Sequence, residues 1–290
     1  MEKSAPNPVY ALRDGKLVHI SAVERGLKCN CICPECNAPL VARKGEKVMH
    51  HFAHHTQTDC RCTGESVLHL AAKNLLSQAN KMVVPAVFVK FPGSSRYDEL
   101  IRGPTEILID HVELEKHFGS LTPDVVVYSK GKFFFVEIFV THRVDEAKLK
   151  KLKTEQISTL EIDLSRSNGN VSPAELSHFL LDDCKEKAWI YNAKAERDYQ
   201  KFLYASERKP IIRRGHALHV DYCPLHRRIW KGKPYANLID DCAYCEYHVK
   251  TEYEEQLPDP EYGYNIDYKF VHCFGAKGIR NIAEFKQNRR

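Results

Sequence analysis

The sequence predicts an α/β fold built around one mixed sheet. Three observations carry that expectation. An amphipathic helical stretch precedes several short apolar, β-branched runs, and two of those runs are joined by the turn Ser129-Lys130-Gly131-Lys132. A charged helical stretch and another apolar run follow them, the order expected of strands joined through helices. At 290 residues, with 43% hydrophobic and 28% charged residues, the chain can bury a core of ordinary globular composition.

The elements follow in order. The segment to about Cys62 is short on helical pattern and rich in Cys and His. A helix is expected from Glu65 to about Asn80, because Leu68, Ala72, Leu75 and Leu76 recur at helical spacing. Met82 to Phe91 and Glu106 to Phe118 read as strands. Thr122 to Tyr128 and Phe133 to Val140 form the hairpin. Arg143 to Gln156 reads as a surface helix, Ser158 to Leu164 as a strand and Ser165 to Val171 as a loop. Ser172-Pro173-Ala174-Glu175 is a strong helix start: Ser172 can cap, Pro173 suits the first turn and Glu175 holds the capping-box position. A charged helix, Asn192 to Glu207, opens a separate tail. The expected domains are 1–62, 63–185 and 186–290.

Asp124 and Glu137 are the most informative pair. A two-residue turn at Lys130-Gly131 pairs Ser129 with Lys132, and counting back puts Asp124 opposite Glu137. Their Cβ atoms would be about 4.5–5.5 Å apart on one sheet face. Opposed carboxylates among Val and Phe repel, and a shared cation resolves the repulsion. Hard oxygen ligands suit Mg²⁺ or Mn²⁺. On this reading Asp124→Asn removes one of two repelling charges, and should raise or leave unchanged the metal-free melting temperature.

Net charge is +5, compatible with nucleic acid but weak evidence alone. No apolar run approaches the roughly 20 residues of a membrane span, and Met1 to Pro6 has no apolar signal region. A cytoplasmic protein is expected. In a reducing compartment eleven cysteines point to metal rather than disulfides. Nine of them fall near residues 29–62 and 223–245. In the second group Cys223, His226, Cys242 and Cys245 form two close pairs that satisfy a tetrahedral Zn²⁺ site. In the first, Cys33-Pro34-Glu35-Cys36 is half of a ribbon. Its other half could be His51 with His54 or His55, or involve Cys60 or Cys62; Cys33, Cys36, His51 and His54 are favoured. One or two structural Zn²⁺ ions are expected. Cys184 and Cys273 stand apart.

Glu65, His69 and Lys73 make a polar stripe on the first helix, which periodicity alone reads as a solvated face. Arg227, Arg228, Lys231 and Lys233, interleaved with Trp230 and Tyr235, could track phosphates and stack on bases, or be a solvated knuckle loop.

Together, Cys33-Pro34-Glu35-Cys36, Arg43-Lys44-Gly45, His51-Phe52-Ala53-His54 and Glu65-Ser66-x-x-His69-x-x-x-Lys73 resemble the competence protein CoiA family. Pro123-Asp124 and Glu137 to His142 resemble that family's form of the PD-(D/E)xK nuclease motif. The resemblance runs from about Cys33 to Leu164. It implies a restriction-endonuclease-like mixed-sheet core flanked by helices and fused to an N-terminal zinc-ribbon-like segment; with the second Cys/His cluster the expected fold carries two small zinc-binding modules. It also implies that Asp124 and Glu137 bind the catalytic metal and that Glu65 completes the acidic set. The motif lysine is replaced by Phe139; Lys148 is the nearest substitute, Lys73 another, and His142 could contact phosphate or transfer a proton. The function expected is a Mg²⁺- or Mn²⁺-dependent nuclease acting on DNA, single- or double-stranded, in uptake, recombination or defence. The alternatives are a degenerate nucleic-acid-binding module and a zinc-stapled interaction subunit. Protein partners or a homodimer fit any of these, and no membrane is involved.

Overall fold

The computed structural model describes residues 7–60, 62–140, 144–167, 170–255 and 266–288. They form two compact units, Met1–Pro85 with Pro104–Ala193, and Ala86–Gly103 with Lys194–Arg290. The sequence boundary at residue 62 does not separate compact units, because the N-terminal sheet and the α/β core share one apolar cluster that runs from Val9 through Phe52, Leu68 and Val125 to Leu180.

The first unit opens with strands β1 (Tyr10–Arg13), β2 (Lys16–His19), β3 (Gly26–Ile32), β4 (Pro39–Arg43) and β5 (His51–His54), a sheet in the order β2-β1-β3-β4-β5. Helix α1 (Gly64–Ser77) follows. Thr63 and Ser66 close a capping box at its start, and Val67, Leu68, Ala71, Ala72 and Leu76 bury one face. The expected strand Met82 to Phe91 divides at Pro85, which has no N–H to give a ladder. Its first half is β6 (Lys81–Val84). Its second half, β7 (Val87–Val89), pairs with β8 (Glu99–Arg102) in the other unit.

β9 (Thr105–Leu108) pairs with β6. The central sheet then comprises β10 (His111–Leu114), β11 (Val125–Ser129), β12 (Lys132–Phe139), β13 (Thr159–Asp163) and β14 (Lys187–Tyr191), in that order. Its neighbours are antiparallel except β12 and β13, which run parallel and are joined through α2 (Glu146–Thr154). The mixed sheet is therefore as expected. Lys130 and Gly131 both take left-handed backbone (φ 50 and 69), the pair of positive φ angles a two-residue hairpin needs. Ser129 faces Lys132 and Val125 faces Val136, so the register counted from the sequence holds. α3 (Pro173–Ser177) begins at the Ser172–Glu175 capping box.

In the second unit α4 (Ala193–Ala205) leads into a six-stranded sheet that the sequence did not suggest. Its strands are β15 (Glu207–Arg214), β16 (Ala217–Asp221), β17 (Arg228–Trp230), β18 (Lys233–Asn237), β19 (His248–Glu255) and β20 (Ile266–Cys273), followed by α5 (Ile282–Gln287). Its apolar cluster includes Leu218, Val220, Ala236, Leu238 and Val271. Among the described residues no helix is long and apolar enough to cross a membrane.

Candidate functional site

The hairpin that fixes the β11–β12 register carries the two carboxylates to one place. Val125 pairs with Val136, so the next step outward brings Asp124 beside Glu137. The Ile138 N–H donates to Asp124 Oδ2 at 2.8 Å and ties that side chain to β12. Glu137 lies in a run of five buried residues, Phe134–Ile138, and is only 7% exposed. Glu161 stands beside it, because β12 and β13 pair Glu137 with Glu161 in parallel register. Two helices complete the group. From α1, His69 Nε2 lies 3.0 Å from Asp124 Oδ2. From α2, Lys148 Nζ lies 2.7 Å from Glu137 Oε2. Asp145 caps α2 by accepting the Lys148 N–H, which sets Lys148 in the first turn. His69, Asp124, Glu137, Lys148 and Glu161 line one cavity of about 230 Å³.

The two carboxylates differ in charge state. Burial pushes Glu137 up to about 7, helped by the Asp124 charge and opposed by Lys148. Burial also pushes Asp124 upward. The His69 hydrogen bond and charge, the Ile138 N–H and the Lys73 charge outweigh it and hold Asp124 below the usual range. Glu137 Oε1 is buried without a hydrogen-bond partner among the described residues.

The expected residues thus divide. Asp124, Glu137 and Lys148 come together. Glu65, one turn before His69, is not among the residues lining the cavity, so His69 is the α1 side chain that reaches Asp124. Lys73 instead pairs with Glu115 at 2.7 Å. His142 lies outside the described residues. Sequence reasoning missed Glu161; its signal was a carboxylate between Leu160 and Ile162 in an apolar strand. It also read His69 only as part of a helix face.

A second group gathers at the N-terminal sheet. The ligand atoms of Cys33, Cys36, His54 and Cys60 all lie within 4.8 Å of one another, a Cys₃His set that could hold zinc. Cys33 Sγ is 3.8 Å from Cys60 Sγ, and Cys36 Sγ is 3.4 Å from His54 Nε2. The expected ligand His51 is replaced by Cys60. His51 and His54 are three apart on β5, so they point to opposite faces. His51 Nδ1 instead meets the Met49 carbonyl at 2.8 Å. Cys29 and Cys31 are buried, and their thiols donate to the Leu40 and Cys29 carbonyls.

The tail brings together part of its expected ligand set. Cys223, Cys242 and Cys245 line one small cavity, but His226 is not among its lining residues. His226 takes left-handed backbone (φ 49) at the end of its turn. Lys231 and Gly232 make the turn between β17 and β18. Arg214 lies 4.3 Å and Lys231 4.7 Å from the centre of the Trp230 ring. Lys233 lies 5.7 Å from the Tyr222 ring. Arg228 binds Asp241 at 2.7 Å and Asp240 at 3.2 Å, so its charge is largely spent within the fold.

Residues 18–63 match the family model described as competence protein CoiA, N-terminal domain. The match contains all four members of the Cys₃His group and ends just before α1; the carboxylate site lies beyond it. No curated protein and no solved structure matches the chain.

Proposed function

We propose that this chain, whose residues 18–63 match the CoiA N-terminal domain model, is a metal-dependent nuclease that processes DNA in a competence-related role. The observation that carries the proposal is the cavity where Asp124, Glu137 and Lys148 meet. The order β11, β12, α2, parallel β13 supports a restriction-endonuclease-like core. The donor set fits a hard divalent cation: two carboxylates on adjacent strands, one with a buried oxygen that has no partner among the described residues, and Glu161 beside them. Asp124 and Glu137 would hold Mg²⁺ or Mn²⁺, which there supplies Lewis acidity toward a phosphoryl oxygen.

The chain's own residues supply the rest. His69 keeps Asp124 ionised and oriented. Lys148 stands where the motif lysine is needed. Phe139, two residues past Glu137, shares its sheet face and lines the cavity, so a lysine from β12 is missing there. The Lys148 ammonium enters from α2 instead, and can donate to a phosphate oxygen or orient the attacking water. The exposed cations of the β17–β18 turn suit backbone phosphates, and Trp230 can stack on an unpaired base.

Phe139 also favours a second reading, a core that holds nucleic acid without cutting it. Plasmid nicking with Mg²⁺, Mn²⁺ or EDTA, run beside a gel shift, separates the two. The nuclease reading expects cleavage that EDTA abolishes and that Asp124→Asn and Lys148→Ala each lower by about 10²-fold or more. A parent protein that shifts DNA but cuts it with neither ion is a binding module.

A further inference from the structure

We propose that the second unit contains a Cys₄ zinc site made by Cys223, Cys242, Cys245 and Cys273. Cys273 is far in sequence from the other three and belongs to no spacing motif. The fold carries it to them. It ends β20, where it faces Glu207 of β15 and His248 of β19. All four cysteines line a single cavity of about 30 Å³, though their sulfurs do not all lie within the 4.8 Å of one another seen in the N-terminal group. Four cysteine ligands suit one tetrahedral Zn²⁺ ion. Val220, Ala236, Val271 and Pro224 form an apolar wall around the cysteines, and Lys209 and His248 also line the cavity.

Local backbone is arranged as a metal site requires. Cys242 and Cys245 sit on one tight turn, closed by the Cys245 N–H to the Cys242 carbonyl at 3.1 Å. Cys223 begins a second turn, closed by the His226 N–H at 3.1 Å. Gly275 lies so close to that turn that a Cβ there would come 2.9 Å from Pro224 Cγ. On binding, the thiol protons leave to solvent and the thiolates coordinate Zn²⁺. The resulting negative centre has Lys209 at its edge, a side chain only 12% exposed. The ion would join the turns after β16 and β18 to the end of β20.

The test uses the full-length protein and zinc as the probe. Elemental analysis of the parent should find two zinc ions per chain, one for each unit. Cys273→Ser should lose one, and His226→Ala should keep both. Retention of both by Cys273→Ser, loss of one by His226→Ala, or iron in place of zinc overturns the assignment. Should Cys273→Ser not fold, alkylation of the parent decides. Cys223, Cys242, Cys245 and Cys273 should resist iodoacetamide together and become reactive together once a chelator is added, as read by peptide mass mapping. Equal reactivity of Cys273 before and after chelation overturns the site.

Discussion

At the residue scale, Glu137 and Asp124 carry opposite energetic signs. Asp124 is held ionised by His69 and by the Ile138 N–H, so it stabilises the fold above the ordinary carboxylate range, and that stability is lost as pH falls through its lowered value. Glu137 is the strained partner. Its folded value of about 7 lies above 4.5, so the folded state binds the extra proton. Its contribution is fully present below 4.5 and lost as pH rises through about 7, a difference on the order of 3 kcal/mol. The expectation that Asp124→Asn raises the metal-free melting temperature therefore passes to Glu137→Gln. In EDTA above about pH 7, Glu137→Gln should melt at or above the parent, and Asp124→Asn below it by about 1–3 kcal/mol. Thermal unfolding across pH checks both signs; a parent that loses no stability relative to Glu137→Gln between 4.5 and about 7 would refute this account. His51 and Cys60 give a second test. Cys60→Ser should cost one zinc and His51→Ala none, because only Cys60 belongs to the closed group; elemental analysis reads the difference.

At the element scale, the hairpin turn controls the site. Lys130 and Gly131 take left-handed backbone, and nothing lies within 4 Å of a Cβ added at Gly131. Gly131→Ala should therefore cost only backbone strain, about 1–2 kcal/mol, without steric clash. Denaturant unfolding measures that cost. A loss well beyond it would mean that the Asp124–Glu137 register has slipped. α2 acts on the same site from the other side, since its Asp145 cap fixes where Lys148 begins. The turn was legible from Lys130-Gly131 and the helix from the spacing of Leu149 and Leu152, but its Asp145 cap was not read. Position 161 was less so. The strand was visible in Leu160 and Ile162, but the parallel register that sets Glu161 beside Glu137 depends on the crossover through α2.

At the scale of the whole molecule, the two units divide the chemistry. The first holds the carboxylate cavity and the Cys₃His group; the second holds the basic turn and the four thiols. If the basic turn contacts DNA, replacing Arg227, Lys231 and Lys233 together by Ala should weaken binding about equally across sequences and flatten its salt dependence. Arg228→Ala should behave differently, lowering stability through loss of its Asp240 and Asp241 contacts. Binding titrations at several salt concentrations, with a melting curve for each variant, distinguish the two effects. An unchanged salt slope in the triple variant would leave the turn a purely structural hairpin.

What the sequence determined by itself was local or set by short-range counting. The Asp124–Glu137 pairing followed from a two-residue turn, the helix starts from Ser172 and Glu175, and the Cys33–Cys36 half-site from its spacing. Contacts between distant segments required the tertiary structure. Alternation along β5 turns His51 away and His54 inward, and the chain beyond then supplies Cys60. Sheet order places Cys273 among cysteines many residues earlier. The choice of His69 over Glu65 was made by which turn of α1 lies against Asp124. Spacing specifies ligands that share one turn or one hairpin; ligands from separate strands are selected by the sheet that packs them together.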